Sequence, residues 1–215
     1  MPPPFDIIAW LLPGALVTIK VTLSAAALAL VVAILMGIAR SSKNRIIKAL
    51  SGFYVELFRG TSALVQLFWI FFVLPLPPFE IFLTPFQAGV IALGLNLGAY
   101  GAEVVRGAIG AVPKDQIEAG VALNFTPMQR MRRIILPQAM VRILPPFGNL
   151  LVELLKATAL VSLITLSDLT FEGLKLQQTV GRTTEIFTIL LFAYFVIAYP
   201  LSRGVHWLEN RREWR

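Results

Sequence analysis

Cysteine is absent from this 215-residue chain, and histidine occurs once, at His206. The first absence excludes disulfide bonds, thiolate metal sites and thiol nucleophiles, and a single histidine leaves too few ligands for a metal centre. Charged residues are also scarce: they make up 14% of the chain, against about 25% in soluble proteins. Hydrophobic residues fill 57% of it, which is more apolar surface than a soluble core of this size can bury. The composition therefore predicts a membrane protein.

Five mostly apolar runs are long enough to cross a bilayer, since a spanning helix needs about 20 residues. They predict an all-α membrane protein with five transmembrane helices in a single domain, residues 1–215. The runs are residues 13–38, 50–74, 86–105, 144–166 and 186–201. The first lacks the basic flank and cleavage site of a signal peptide, so we expect it to be a retained span.

Glycines recur within these runs, where small residues allow helices to pack closely. We expect close packing, rather than solute contact, at each of these positions. The glycines are Gly37, Gly60, Gly89, Gly94, Gly98, Gly101 and Gly107.

Basic residues are concentrated in the segments that follow the first, third and fifth runs. Loops rich in Lys and Arg stay on the cytoplasmic side of a membrane. The positions of these basic residues therefore predict an N-terminus outside and a C-terminus inside. They also account for the net charge of +7 without a nucleic-acid partner. The residues that set this orientation are Arg40, Lys43, Arg45, Lys48, Lys114, Arg130, Arg132, Arg133, Arg142, Arg203, Arg211, Arg212 and Arg215.

The longest connection, at about residues 108–143, has the pattern of two short helices joined by a turn. Pro113 suits the start of the first helix, and Asn124 tolerates the left-handed conformation that ends a helix. Thr126 and Pro127 supply a cap and a first-turn proline for the second helix. The apolar side chains expected to pack against the membrane domain are Ile117, Val121 and Leu123.

This connection resembles the EAA loop of importer permeases in the ATP-binding cassette (ABC) superfamily. The motif reads Glu-Ala-Ala, three residues, Gly, nine residues, Ile, one residue, Leu-Pro. Gly120 stands in place of the second alanine, and Asn124 in place of the glycine, where it keeps the tendency to turn. The residues that match are Glu118, Ala119, Ile134, Leu136 and Pro137.

The resemblance implies that the first helix of this loop, with Lys114, Asp115 and Glu118, inserts into a cleft on a nucleotide-binding subunit. Closure of two such subunits on ATP would then rock two permeases between inward and outward access. A basic loop that lies on anionic lipid headgroups is the alternative explanation of the arginines.

The resemblance extends from about residue 16 to residue 209 and points to the polar amino acid uptake group. It is carried by residues 51–66, 96–110, 136–139 and 155–162. Within that group the chain most resembles a permease of ectoine and hydroxyectoine uptake systems, through residues 94–106, 122–125, 145–151 and 163–171. A small zwitterion, ectoine or hydroxyectoine, is therefore the expected solute. The alternative is a polar amino acid such as arginine or glutamine.

The family implies a location in the bacterial inner membrane and several partners. They are ABC ATPase subunits, which bind ATP and Mg, a second permease, identical or paralogous, and an extracellular or periplasmic solute-binding protein. The chain has no Gly-x-x-x-x-Gly-Lys-Ser/Thr loop for nucleotide phosphates, so we expect no catalysis and no cofactor in it. A channel or secondary transporter that works without an ATPase is the competing class.

Ionisable side chains inside the apolar runs are functional candidates, because a charge at bilayer depth costs about 3 kcal/mol. Glu56 and Arg59 are three residues apart, as are Glu153 and Lys156, so each pair shares a helix face. Either the two charges neutralise each other within the helix, or one member faces a central cavity and contacts the solute. The expected pathway residues are Arg59 for a carboxylate, Glu103 and Asp168 for a positive group, and Gln66 and Asn96 for neutral hydrogen bonds.

Overall fold

The structure of the protein is a computed structural model that describes residues 4–210. No strand occurs in this part of the chain, and nine α-helices make up most of it, so the predicted all-α class is confirmed. The side chain of His206 and the basic residues Arg211, Arg212 and Arg215 lie outside the described residues.

The helices follow one another through short connections. They are α1 Pro4–Arg40, α2 Arg45–Gly60, α3 Ala63–Phe68, α4 Pro85–Gly110, α5 Lys114–Ala122, α6 Pro127–Arg130, α7 Leu136–Ala157, α8 Leu169–Val180 and α9 Thr183–Asn210. Three irregular turns extend them: a π turn at Trp69–Val73 after α3, a second π turn at Met131–Ile135 between α6 and α7, and a 3-10 turn at Thr158–Ile164 after α7.

Four stretches of the described chain are long and apolar enough to cross a membrane. They are Ile7–Arg40, Pro85–Gly110, Pro127–Ile164 and Thr183–Val205. The second predicted span, residues 50–74, is not one straight helix, because α2 and the α3 segment meet at a bend of 104°. The described residues thus contain four spans, or five if the bent pair crosses the membrane as one.

The fourth span begins well before the predicted boundary at residue 144. Helix α6, its π turn and α7 form one continuous stretch, so only residues 111–126 separate it from α4. Pro137 cannot donate the hydrogen bond that an α-helix requires there. The wider π turn just before it, in which Leu136 N–H donates to Met131 O, accommodates the proline without ending the helix. The second short helix of the predicted loop is therefore the base of a membrane span.

Helices α1 and α4 approach closely through glycines. A Cβ atom on Gly94 would lie 2.7 Å from Leu28 Cδ2, and one on Gly98 would lie 2.8 Å from Val32 Cγ1. These separations are shorter than carbon atoms tolerate, so the helix pair depends on the missing side chains. Gly60 and Gly107 have no neighbouring atom within 4 Å of such a Cβ, and the expectation of close packing is wrong at these two positions.

The connection into α8 is buried and fastened to its neighbours by Asp168, which has no exposed surface. Asp168 caps α8: Oδ1 accepts from Phe171 N–H at 2.9 Å, and Oδ2 accepts from Tyr194 O–H at 3.3 Å. Thr18 of α1 accepts from Leu169 N–H at 3.1 Å. Both oxygens of this predicted solute ligand are thus engaged within the chain. Burial raises the pKa of Asp168 to about 6, although the hydrogen bonds to its charged form oppose the rise.

Replacing Asp168 with Asn should remove a pH-dependent loss of stability and keep the cap, since Asn and Asp are comparable N-cap residues. The pKa of Asp168 lies above its ordinary value of 3.8, so its contribution to stability is full below that pH and is lost as the pH rises towards about 6. We expect the melting temperature of the detergent-solubilised wild-type protein to fall relative to Asp168→Asn between about pH 4.5 and about pH 7. A difference that does not change with pH would contradict this role of the carboxyl group.

Candidate functional site

Helix α5 projects between α4 and α6, and local signals define both of its ends. Pro113 precedes it, and Asn124 follows it with a φ of 58°, the left-handed conformation expected of this residue. Phe125 N–H donates to Gly120 O at 2.9 Å across the end of the helix. Thr126 then caps α6 in a reciprocal capping box with the residue three positions on. The chain therefore reverses tightly after α5.

A glycine contact holds α5 against the base of the fourth span. Gly120 is buried, and a Cβ there would lie 2.7 Å from Ile134 Cδ1. Ile117 packs against the apolar cluster formed by α4 and the α6–α7 stretch. Arg142 of α7 donates to the carbonyl oxygen of Ala111, just before α5. The helix is thus attached to the span along one side.

The other side of α5 is exposed and carries the residues that the EAA motif predicts. Asp115, Glu118 and Ala119 lie opposite Ile117 and Gly120, because each residue advances about 100° around a helix. All three are exposed, as is Lys114. We call this surface the coupling face, and it consists of Lys114, Asp115, Glu118 and Ala119.

Apolar side chains border the coupling face. The expectation that Val121 and Leu123 pack against the membrane domain is wrong, because their exposed fractions are 52% and 66%. Met128 of α6 is exposed as well. The other residues that match the motif lie behind the coupling face: Ile134 and Leu136 are half-buried, and Pro137 is exposed in the span. The motif therefore divides into a projecting surface and the support beneath it.

Two amide side chains donate hydrogen bonds to backbone carbonyl oxygens where α2 bends away from α3. Gln66 Nε2 donates to Phe58 O at 2.9 Å and to Thr61 Oγ1 at 2.7 Å. Asn96 Nδ2 of α4 donates to the same Phe58 O at 3.0 Å and to Gln66 Oε1 at 3.1 Å. Carbonyls freed by a break at membrane depth need such partners. The predicted pathway residues Gln66 and Asn96 therefore hold a broken helix together, beside a mainly apolar cavity of about 480 Å³.

Glu103 is held between two arginines near the ends of α1 and α4. Its Oε1 lies 2.8 Å from Arg40 Nε, and its Oε2 accepts from Arg106 Nε and Nη2 at 2.9 and 2.8 Å. This arrangement conflicts with the predicted role of Glu103 as the partner of a positive solute group. Both of its oxygens already face guanidinium groups, so the side chain serves as an ion-pair link between the two helices.

Arg59, at the end of α2, remains available to a ligand. Its side chain is exposed, and its guanidinium carbon lies 5.3 Å from the centre of the Tyr100 ring, as in a cation–π contact. Glu56 is also exposed, and no ion pair joins it to Arg59 in the described structure. Neutralisation within the helix, one of the two alternatives for this pair, is therefore absent from the described structure. Tyr100 lies one turn beyond Asn96 on α4, so Arg59 borders the same side of that helix as the bend.

An exposed stripe runs along α7 and contains several polar residues. Positions 142, 146, 149, 153 and 156 recur every three or four residues, and every one of them is exposed. We call this set, Arg142, Pro146, Asn149, Glu153 and Lys156, the α7 stripe. The sequence-based selection of site residues missed Asn149, although its position four residues before Glu153 on a helix is a detectable signal.

Glu153 and Lys156 do not form an ion pair with each other in the part of the chain that the structure describes. Both lie within the fourth span, where lipid would penalise an exposed charge by about 3 kcal/mol. We therefore expect the α7 stripe to face water or another protein chain rather than lipid.

These side chains can bind a polar solute by charge and hydrogen bonding. Among the described residues, no group of three or more His, Asp or Glu side chains is close enough to hold a metal ion. The arrangement thus offers carboxylate, ammonium, guanidinium and amide groups on exposed surfaces of spanning helices.

Comparison with known proteins gives consistent relatives. The sequence model of the family "Binding-protein-dependent transport system inner membrane component" matches residues 29–214. A probable amino-acid ABC transporter permease of Sinorhizobium fredii is 48% identical over 94% of this chain and 87% of its own length. The L-cystine permease TcyB of Bacillus subtilis is 36% identical over 92% of this chain and 84% of its own. The glutamine permease GlnP of Escherichia coli is 34% identical over 94% of this chain and 92% of its own length.

Solved structures share the fold. An amino acid ABC transporter crystallised with histidines has a TM-score of 0.88 and 34% identity, and the match covers 96% of each chain. The MetNI methionine ABC transporter in an inward-facing conformation has a TM-score of 0.70 over 97% of this chain and 99% of its own. At 21% identity it supports the fold alone. Since the family match spans most of the sequence and several relatives exceed 30% identity, the chain belongs to the inner-membrane permeases of binding-protein-dependent ABC transporters.

Proposed function

We propose that this chain is the permease subunit of an importer that carries a polar amino acid across the bacterial inner membrane. As in its relatives, the permease is a transport component without catalytic activity, and a separate ATPase subunit binds ATP and Mg and supplies the work. The observation that carries the proposal is the α7 stripe, an exposed row of five residues, four of them polar, on a membrane-spanning helix.

The α7 stripe supports a water-filled pathway between two permeases. Charged side chains in spanning helices face a bundle interior or an aqueous cavity, since lipid excludes them. Four or five spans in one chain do not surround such a cavity, so a second permease, identical or paralogous, supplies the opposite wall. Arg59 and Tyr100 continue the polar lining on α2 and α4.

The charges of the stripe suit a zwitterion. Glu153 offers a carboxylate to an ammonium group, and Lys156, three residues on, offers an ammonium to a carboxylate. Because no ion pair in the described residues joins the two, neither charge has to be released from the other before it meets the solute. Arg59 is a second candidate for the solute carboxylate, because its planar fork can hold both oxygens.

An amino acid is favoured over ectoine as the solute. The relatives are named as amino-acid, cystine and glutamine permeases, and a related structure contains histidines. The ectoine prediction finds no support in these names, whereas the alternative of a polar amino acid such as glutamine or arginine agrees with them. An extracellular or periplasmic binding protein would deliver the solute and set most of the selectivity.

The coupling face is the proposed contact with the ATPase. Glu118 and Asp115 are exposed acidic side chains on a projecting helix, and the apolar rim of Val121, Leu123 and Met128 adds surface that favours burial in a cleft. The orientation that the basic residues predict places this helix on the cytoplasmic side, where ATP is available.

Replacing Glu118 with Ala should weaken the link to the ATPase and leave membrane insertion normal. We expect ATP-dependent uptake in proteoliposomes, reconstituted with the candidate ATPase and binding protein, to fall about tenfold, as for the loss of one charge-assisted hydrogen bond. Gln116→Ala is the matched control, because Gln116 is exposed on the flank of the same helix. Uptake that persists without the ATPase would instead identify a channel or secondary transporter.

Removing either charge of the stripe should impair transport. We expect Glu153→Gln and Lys156→Gln each to lower the rate of amino-acid uptake about tenfold or more, with normal amounts of protein in the membrane. Glu172→Gln and Lys175→Gln are matched controls: these residues have the same types and spacing, lie outside the spans and form an ion pair at 3.8 Å. Equal losses in both sets would rule out a special role for the stripe.

The solute itself can be identified by competition. In cells that carry the complete system, we expect uptake of labelled glutamine or arginine to depend on this chain and to resist an excess of unlabelled ectoine. Dependence of ectoine uptake on the chain, with no amino-acid uptake, would overturn the proposed substrate class and leave the assignment to an ABC permease intact.

A further inference from the structure

A polar pocket of about 580 Å³ lies where the end of α1 and the start of α2 meet the end of α4. No acidic side chain lines it in the described structure, whereas three cationic side chains do. Its polar lining and the glycine beside it are Arg40, Ser41, Ser42, Lys48, Arg106 and Gly110. The pocket is separate from the coupling face and from the α7 stripe, and neither uses its residues.

The charges around this pocket do not cancel. Glu103 lies behind the lining and forms ion pairs with both Arg40 and Arg106, which leaves one net positive charge on these three side chains. Lys48 adds another, since the described residues provide no ion pair for it. The pocket therefore carries about two excess positive charges at the end of two spanning helices.

Hydrogen-bond donors are also left over. Arg106 is exposed and donates to Glu103 through Nε and Nη2, so its Nη1 remains available to a ligand. Arg40 Nη1 also has no hydrogen-bond partner among the described residues, but it is buried against α2 beside Gly52. Ser42 Oγ accepts from Asn44 N–H at 3.2 Å, so its hydroxyl proton is free to be donated. Guanidinium, ammonium and hydroxyl donors around one space are the groups that hold a phosphate.

We propose that this pocket binds the phosphate of an anionic phospholipid headgroup. Basic pockets between spanning helices at a membrane surface bind such headgroups, and this one lies where the spans Ile7–Arg40 and Pro85–Gly110 both end. The start of α2, a helix of 16 residues, adds the positive end of its dipole next to Lys48. A free phosphate ion presents the same oxygens, so the experiment has to separate the two sources.

The test measures lipid binding to the purified full-length chain in detergent. Native mass spectrometry would compare phosphatidylglycerol with phosphatidylcholine, and inorganic phosphate would be titrated separately against thermal stability. The variant is Lys48→Gln, and the matched control is Lys43→Gln, which removes an exposed lysine of the same segment that does not line the pocket. We expect phosphatidylglycerol to bind in preference to phosphatidylcholine, and Lys48→Gln to weaken its binding about fivefold, the contribution of one basic residue near a membrane surface.

The control should change phosphatidylglycerol binding less than about twofold, since Lys43 adds only unspecific attraction. Equal weakening by the two variants, or no preference for phosphatidylglycerol together with no effect of phosphate, would overturn the proposal. Stabilisation by inorganic phosphate that Lys48→Gln abolishes, without a lipid preference, would support the phosphate site and assign it to a free anion.

Discussion

Hydrocarbon provides no hydrogen-bond partners, so every polar group in a span needs a partner from the protein or from enclosed water. At the bend between α2 and α3, Gln66 and Asn96 donate to the carbonyl oxygen of Phe58. At the ends of α1 and α4, Glu103 is neutralised by two arginines. Among the described residues, the charges of the α7 stripe and Arg59 have no ion-pair partner, and neither do Lys20 of α1 and Glu56 of α2. A single chain in lipid would pay a free-energy cost for exposing these charges. In the proposed importer, the second permease, the enclosed water and the solute would remove that cost.

The coupling face and the α7 stripe are mechanically connected. The α6–α7 stretch is continuous from Pro127 to Ile164, 38 residues, or about 57 Å at helical rise. Helix α5 rests on its base through Gly120 and Ile134, and the stripe occupies its middle. A displacement of α5 by an ATPase would therefore tilt the helix that lines the proposed pathway. The π turn at Met131–Ile135 contains the contact residue Ile134 and precedes the stripe, so the helix departs from regular α geometry where α5 rests on it.

The sequence predicts the helical class and the turn after α5, because hydropathy and capping residues act over a few positions. It does not predict the bend, since Thr61 and Ser62 interrupt the apolar run only briefly. The partners of Glu103 and Asn96 also escape prediction: Arg40 is far from Glu103 in sequence, and the Asn96–Phe58 bond joins residues 38 positions apart. The apolar run places the start of the fourth span at residue 144, yet the helical stretch begins at Pro127 and continues past Pro137 through a π turn. Local signals thus define the elements, and long-range pairing decides what their polar residues do.

The carboxylates of the spans and of the loop beside them show how long-range pairing, rather than local sequence, decides the role of a polar residue. By residue type and by position in or near an apolar run, Asp168, Glu103 and Glu153 are equally good candidates to bind a positive group of the solute. Asp168 is fully buried and caps a helix, and Glu103 faces two guanidinium groups. Glu153 alone of these three is exposed and has no ion-pair partner in the described residues. A carboxylate can bind a passing cation only if its own chain has not already compensated its charge. This condition supports the proposed pathway along α7, and Glu56 of α2, which is also exposed and without an ion pair in the described residues, meets it as well.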